Sequence, residues 1–235
     1  MFNIKEKLDE YLEFDSDLLF NIIPDEYTAV KCKRLVRIFG GSLRDIIANQ
    51  KINDIDILVG SKSIRALENV LYNNGYINME SLAKKDILGL YGINVISEPK
   101  TWIKNYKIVQ LIRPRDPLGN NYEESFINLI QNVDISSCGL SYDGNKLYEN
   151  YKDAILHCRH KVFYVNKNAK MYSPNRIYER IYKLESRGWC RILSENDIRD
   201  LRIKDILKPI NYEEDYELSY KTEYLTNKVD FSFIF

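Results

Sequence analysis

The sequence predicts an α+β fold, a β-sheet flanked by helices and followed by a mainly helical C-terminal part. Three observations predict it. Between residues 3 and 165, segments with apolar residues at helical spacing alternate with short β-type runs. Two of those runs are joined by a tight turn, which pairs them as a hairpin. Near residue 170 the pattern changes to a helical segment followed by a highly charged stretch, dividing the chain into 1–170 and 171–235.

The elements follow in order. Residues 3–23 place Ile4, Leu8, Leu12, Leu18, Leu19 and Ile22 at roughly helical spacing, with a break near Phe14-Asp15-Ser16. Leu35 to Phe39 is a short apolar strand ending at Gly40-Gly41. Ser42 can cap a helix over 43–49. Residues 54–59 alternate and predict a strand. Ile64, Leu67, Val70 and Leu71 form one stripe of a helix over 61–74, and Gly75 stops it. Strands are expected over 93–103 and 106–112, turning at Lys104-Asn105. A helix over 123–131 precedes a strand over 133–142, a turn at Asp143-Gly144 and a short strand over 161–165. Ser173-Pro174 opens a further helix with Ile177, Ile181 and Leu184 on one side. The last residues, VDFSFIF, alternate like a final strand.

Composition narrows the classes. The chain has 235 residues, enough for one large domain or two small ones. Hydrophobic residues make up 45%, a globular value that argues against general disorder. Lys plus Arg and Asp plus Glu both number 34, so any basic surface is local and net charge says nothing about nucleic acid. No apolar run approaches the ~20 residues of a membrane span. The charged N-terminus lacks the apolar core of a signal peptide. Cys32, Cys138, Cys158 and Cys190 stand far apart, which predicts reduced thiols in a cytoplasmic protein. His157-Cys158-Arg159-His160 lacks the second nearby ligand pair of a zinc site.

The chemistry concentrates in FGGSLRDIIANQKINDIDILV, residues 39–59. Side chains two apart on a strand point the same way, so Asp54 and Asp56 project together beside the Gly40-Gly41-Ser42 turn. Two neighbouring ionised carboxylates repel unless a cation lies between them. Mg²⁺ suits such a place, since it takes carboxylate, phosphate and water oxygens. The Gly-Gly turn lets backbone N–H groups and the Ser42 hydroxyl approach a phosphate. The bland reading is a turn followed by an exposed pair of aspartates. The combination of apolar strand, Gly-Gly-Ser, helix and alternating aspartates favours metal-dependent phosphoryl or nucleotidyl transfer.

This stretch resembles the signature of the nucleotidyltransferase superfamily, in the form carried by the head domain of class II CCA-adding enzymes and bacterial poly(A) polymerases. Gly40, Gly41, Arg44, Asp45, Asp54 and Asp56 match that pattern one by one. VDISSCGLSYDG at 133–144 is similar to a later strand motif of the family, YKDAILHCR at 151–159 to its short helix, and SPNRIYERIYKLESRGW at 173–189 to its neck helix. The likeness spans roughly residues 35–189. The family's arginine pair before the later aspartate is Asn132-Val133 here, its asparagine is replaced by Cys138 or a neighbour, and its base-selecting motif is not evident after residue 189.

The resemblance implies a nucleotidyltransferase-type mixed sheet. It implies that Asp54 and Asp56 ligate two Mg²⁺ ions, with Mn²⁺ as an alternative. By the same likeness Gly40, Gly41 and Ser42 meet the triphosphate, and Arg176 and Arg180 face the nucleotide phosphates. Arg44 either reaches the nucleotide site or pairs with Asp45 or the fold's own carboxylates. For a third carboxylate, the hydrophobic-Asp-hydrophobic pattern of Val133-Asp134-Ile135 favours Asp134. The alternatives are an Asp134 that caps the preceding helix, or a strand over 107–112 that offers only Gln110.

The expected partners are an NTP and an RNA, tRNA-like 3′ end, with no membrane. Arg176, Arg180, Lys183, Arg187 and Arg191, interleaved with Tyr178, Tyr182 and Trp189, suit either RNA contact or a solvated helix whose aromatics pack on the core. Two other readings stand beside the leading one. One is a toxin- or resistance-type enzyme that modifies a protein or small molecule. The other is a non-catalytic nucleotide-binding module of the same fold.

Overall fold

The protein is described from a computed structural model covering residues 3–22, 36–60, 63–79, 99–114, 122–166 and 174–192. The first elements are α1 (Ile4–Leu12), α2 (Asp17–Phe20), β1 (Val36–Phe39), α3 (Gly41–Ile47), β2 (Asp54–Val59) and α4 (Ile64–Asn73). They are followed by β3 (Ile77–Asn78), β4 (Lys100–Lys104), β5 (Lys107–Ile112) and α5 (Tyr122–Gln131). A 3₁₀ turn (Ser136–Cys138) leads to β6 (Leu140–Tyr142), β7 (Leu147–Glu149), α6 (Ala154–Arg159), β8 (Val162–Phe163), α7 (Pro174–Glu185) and β9 (Cys190–Arg191). Strands β1–β7 form one mixed sheet in the order β3-β4-β5-β2-β1-β6-β7. Within that sheet β2 and β5 pair parallel and the other described neighbours are antiparallel, while β8 and β9 pair parallel in a separate two-stranded sheet.

Alternation along β2 decides what each face of the sheet carries. Ile55, Ile57 and Val59 point into the main core, with Leu43 and Ile47 of α3, Ile4, Leu8 and Leu12 of α1, and Leu67 and Leu71 of α4. Leu58 points the other way, into a second small cluster with Phe39, Ile112 and Phe126, Leu129 and Ile130 of α5. The aspartates of β2 share Leu58's face, just beyond that cluster. Ile181, Leu184 and Trp189 pack into the main core, so the described part of the segment after residue 170 is anchored to the sheet-bearing part.

Several sequence expectations are refined. The break after α1 falls where it was expected, because Glu13 adopts a left-handed C-cap (φ 61°). The β4–β5 turn lies at Asn105-Tyr106, one residue later than expected; both have positive φ (48° and 64°), the conformation of a two-residue hairpin turn. α3 begins at Gly41, so Ser42 lies inside its first turn and Gly40 occupies the cap position without a side-chain cap. The strand expected over 133–142 is divided. Ile135 makes an isolated bridge to Val165, residues 136–138 wind into the 3₁₀ turn, and only 140–142 join the sheet. The Ser136 hydroxyl accepts from the Tyr164 amide at 2.8 Å, which stabilises the turn against a continuous strand. Asp134 therefore does not lie on a strand of the sheet. The expected strand segment over 93–98 and the VDFSFIF strand lie outside the described residues. Among the described residues, no helix is long and apolar enough to cross a membrane.

Candidate active site

Every residue of β1 is buried, and the strand runs directly into Gly40 (φ 77°, ψ −134°). An L side chain rarely adopts that conformation, so glycine is what lets the chain reverse into α3. The reversal lies beside β2. A Cβ on Gly40 would be 3.9 Å from Asp56 Oδ2. Phe39 of β1 and Gln110 of β5 are both registered with Asp56, and Ile108 with Asp54. One face thus carries Asp54 and Asp56, both half-buried, flanked by Ile108, Gln110 and Phe39 and bordered by the glycine turn. The row continues outward to Ser141 and Tyr148, and the Arg37 guanidinium lies 4.4 Å from the Tyr148 ring centre.

Behind the turn is a buried ionic layer. Arg44 Nε donates to Asp45 Oδ1 at 2.8 Å, and Arg187 pairs with Asp45 Oδ2 at 3.2 Å. Arg44 also donates to the Cys138 sulfur at 3.4 Å and lies 5.4 Å from the Trp189 ring centre. Burial works against the Arg44 charge, but the Asp45 carboxylate beside it outweighs that cost and holds the guanidinium more firmly protonated than usual. Burial pushes the Cys138 and Cys158 thiols up, so both are neutral at ordinary pH. Cys190 is also free, and Cys32 lies outside the described residues. The segment after α7 grips the α3–β2 connection. Trp189 Nε1 donates to Gln50 Oε1 at 2.8 Å, Gln50 Nε2 donates to the Arg187 carbonyl at 3.0 Å, and Arg187 reaches the Lys51 carbonyl at 3.2 Å.

The expected residues thus fall into two groups. Gly40, Asp54 and Asp56 come together at the mouth of the turn. Arg44 pairs with Asp45; a Cβ on Gly41 would be 3.4 Å from its Nη2. Ser42 is buried, and its hydroxyl donates back to the Phe39 carbonyl at 3.5 Å. Asp134 is fully buried and pairs with Arg180. Its other carboxylate oxygen has no hydrogen-bond partner among the described residues. Arg176 stands in the first turn of α7, with a side chain outside the described set.

For a divalent cation, the Asp54–Asp56 pair offers hard oxygen donors and leaves coordination positions to phosphate and water, which fits Mg²⁺ or Mn²⁺. Among the described residues, no group of three or more His, Cys, Asp or Glu side chains is placed to hold a metal ion. Sequence reasoning missed the Gln50–Trp189 clamp and the Asp45–Arg187 pair. Arg187 stood out only as one member of a basic run, and nothing in local spacing points from it to Asp45.

No protein-family profile matches the chain, and no curated protein gives a match. Several solved structures superpose on part of the chain. An apo CCA-adding enzyme superposes with a TM-score of 0.48 at 13% identity, over 72% of this chain and 38% of that one. A CCA-adding enzyme with CTP gives 0.47 at 16% identity, over 73% and 39%. A tRNA nucleotidyltransferase complexed with a primer tRNA and an incoming ATP analogue gives 0.46 at 16%, over 73% and 47%. The chain spans less than half the length of each.

Proposed function

We propose that the protein is a divalent-metal-dependent nucleotidyltransferase that moves a nucleoside monophosphate from an NTP to an acceptor hydroxyl, with an RNA 3′ end as acceptor. The observation that carries this reading is the juxtaposition of Gly40 and Asp56, with Asp54 on the same face. Two ionised carboxylates side by side repel each other, and a cation between them offsets that cost; the glycine turn, which carries no side chain, borders them. The motif likeness over residues 39–59 supports the same reading.

In this reading Asp54 and Asp56 hold the cation, which supplies neutralisation of the triphosphate charge and activation of the acceptor hydroxyl. Gly40 and Gly41 leave room for phosphate oxygens. The remaining work is orientation of the α-phosphate for in-line attack, with pyrophosphate leaving. Asp134 remains the candidate third carboxylate, and its pairing with Arg180 ties α7 to the segment before the 3₁₀ turn.

The test is incubation with each radiolabelled NTP, Mg²⁺ and total RNA, asking whether label follows RNA, protein or small molecules. Label in RNA is expected, and Asp54→Ala and Asp56→Ala should each abolish it with the fold intact. Label in protein or small molecules would reassign the acceptor. Full activity in both variants would overturn the metal site.

A further inference from the structure

Asp54 and Asp56 are not held equally. Asp56 has a strand on each side, registered with Phe39 of β1 and Gln110 of β5. The β1 pairing ends there, so Asp54, the first residue of β2, is registered only with Ile108 of β5. A strand end held on one side frays most easily, and its carboxylate is pushed away by its neighbour.

A side chain from α1 is inserted at that point. The Tyr11 hydroxyl donates to the Asn53 carbonyl at 2.8 Å and accepts from the Ile108 amide at 2.9 Å. These are the residue before Asp54 and the residue registered with it. The phenol therefore forms a side-chain rung between the two parallel strands where the first carboxylate emerges. The helix carrying it is fixed by other means. Glu13 pairs with Lys107 at 2.8 Å and Lys104 at 3.1 Å, the Tyr76 hydroxyl donates to the Leu12 carbonyl at 3.3 Å, and Ile4, Leu8 and Leu12 are buried. Losing the Tyr11 hydroxyl would leave α1 docked and the ring packed.

We infer that Tyr11 is a positioning residue for the metal site, holding the start of β2 so that the Asp54 carboxylate stays beside that of Asp56. This inference rests on the assignment of those two aspartates to a divalent cation. It gives the N-terminal helix a role in the site beyond packing: Tyr11 shares the face of Ile4 and Leu8 and packs against the core, and helical spacing alone does not show that its hydroxyl bridges two strands.

The experiment titrates Mn²⁺ into the full chain and follows free ion by electron paramagnetic resonance. Wild type, Tyr11→Phe, Tyr76→Phe and Asp56→Ala are compared, with amide exchange over residues 52–57 read in parallel without metal. Tyr76→Phe removes a hydroxyl from the same helix contact without touching β2. For Tyr11→Phe the expected result is Mn²⁺ binding weakened about 3- to 10-fold, the equivalent of one lost hydrogen bond, with faster exchange at 53–55. With nucleotide present, kcat falls while KM for NTP holds. Tyr76→Phe should bind Mn²⁺ like wild type. Wild-type affinity in Tyr11→Phe, with Asp56→Ala binding lost, would overturn the role of Tyr11 and leave the carboxylate site standing. Equal weakening in Tyr76→Phe would reduce Tyr11 to general packing. Binding that survives in Asp56→Ala, or is absent from wild type, would remove both the site and the inference.

Discussion

Asp45→Ala is the sharpest test of how the C-terminal helix is tied to the domain. Asp45 is 3% exposed at its side chain and pairs with two arginines, Arg44 at 2.8 Å and Arg187 at 3.2 Å. The two would lose it unequally. Arg187 is 20% exposed, keeps the Lys51 carbonyl and regains water. Arg44 is 11% exposed and would keep only the weak Cys138 sulfur contact and the Trp189 ring. A buried charge stripped of its partner costs about 3–5 kcal/mol. Arg187→Ala leaves Arg44 and Asp45 paired, so it costs the loss of charge-assisted hydrogen bonds, about 1.5–3 kcal/mol. In urea unfolding, with an m-value on the order of 3 kcal/mol/M, the Asp45→Ala midpoint should fall by about 1–1.7 M and that of Arg187→Ala by about 0.5–1 M. A loss below about 1 kcal/mol in Asp45→Ala would refute the reasoning. So would an Arg187→Ala cost equal to it, since the argument depends on Arg44 being the stranded charge.

Other predictions follow from single positions. Gly40→Ala must hold an L residue at φ 77°, with its methyl 3.9 Å from Asp56 Oδ2. It should cost about 1–2 kcal/mol in thermal or urea unfolding and lower nucleotide transfer further than that loss explains. Gly41→Ala, in the helix and against the flexible Arg44 side chain, should be the milder of the pair. Glu13 gives α1 docking one acid-side component, since Lys107 and Lys104 pull its carboxyl down to about 2 from its ordinary 4.5. A depressed carboxyl stabilises the fold above its unfolded value and loses that contribution as pH falls from about 4.5 through about 2. Glu13→Gln should remove this acid-side component from unfolding curves measured at stepped pH.

The sequence by itself determined the features that depend on neighbours a few residues apart. The two-residue spacing of Asp54 and Asp56 puts both on one face of a strand whatever surrounds it, and Gly40 marks a turn because few other residues adopt its backbone angles. Stripes at helical spacing located α1, α4 and α5 to within a few residues. Tertiary structure decided which charges meet. Asp134 is 46 residues from Arg180 and Asp45 is 142 from Arg187, and no local pattern records such pairings. It also decided that residues 136–138 turn instead of extending, through the hydroxyl of Ser136 and an amide 28 residues away. Tyr11 and Ile108 meet across 97 residues because α1 packs over the start of β2 and β5. Periodicity is a property of the local backbone and can be read from spacing. Ion pairs and side-chain rungs belong to surfaces that exist only once helices and sheet have packed.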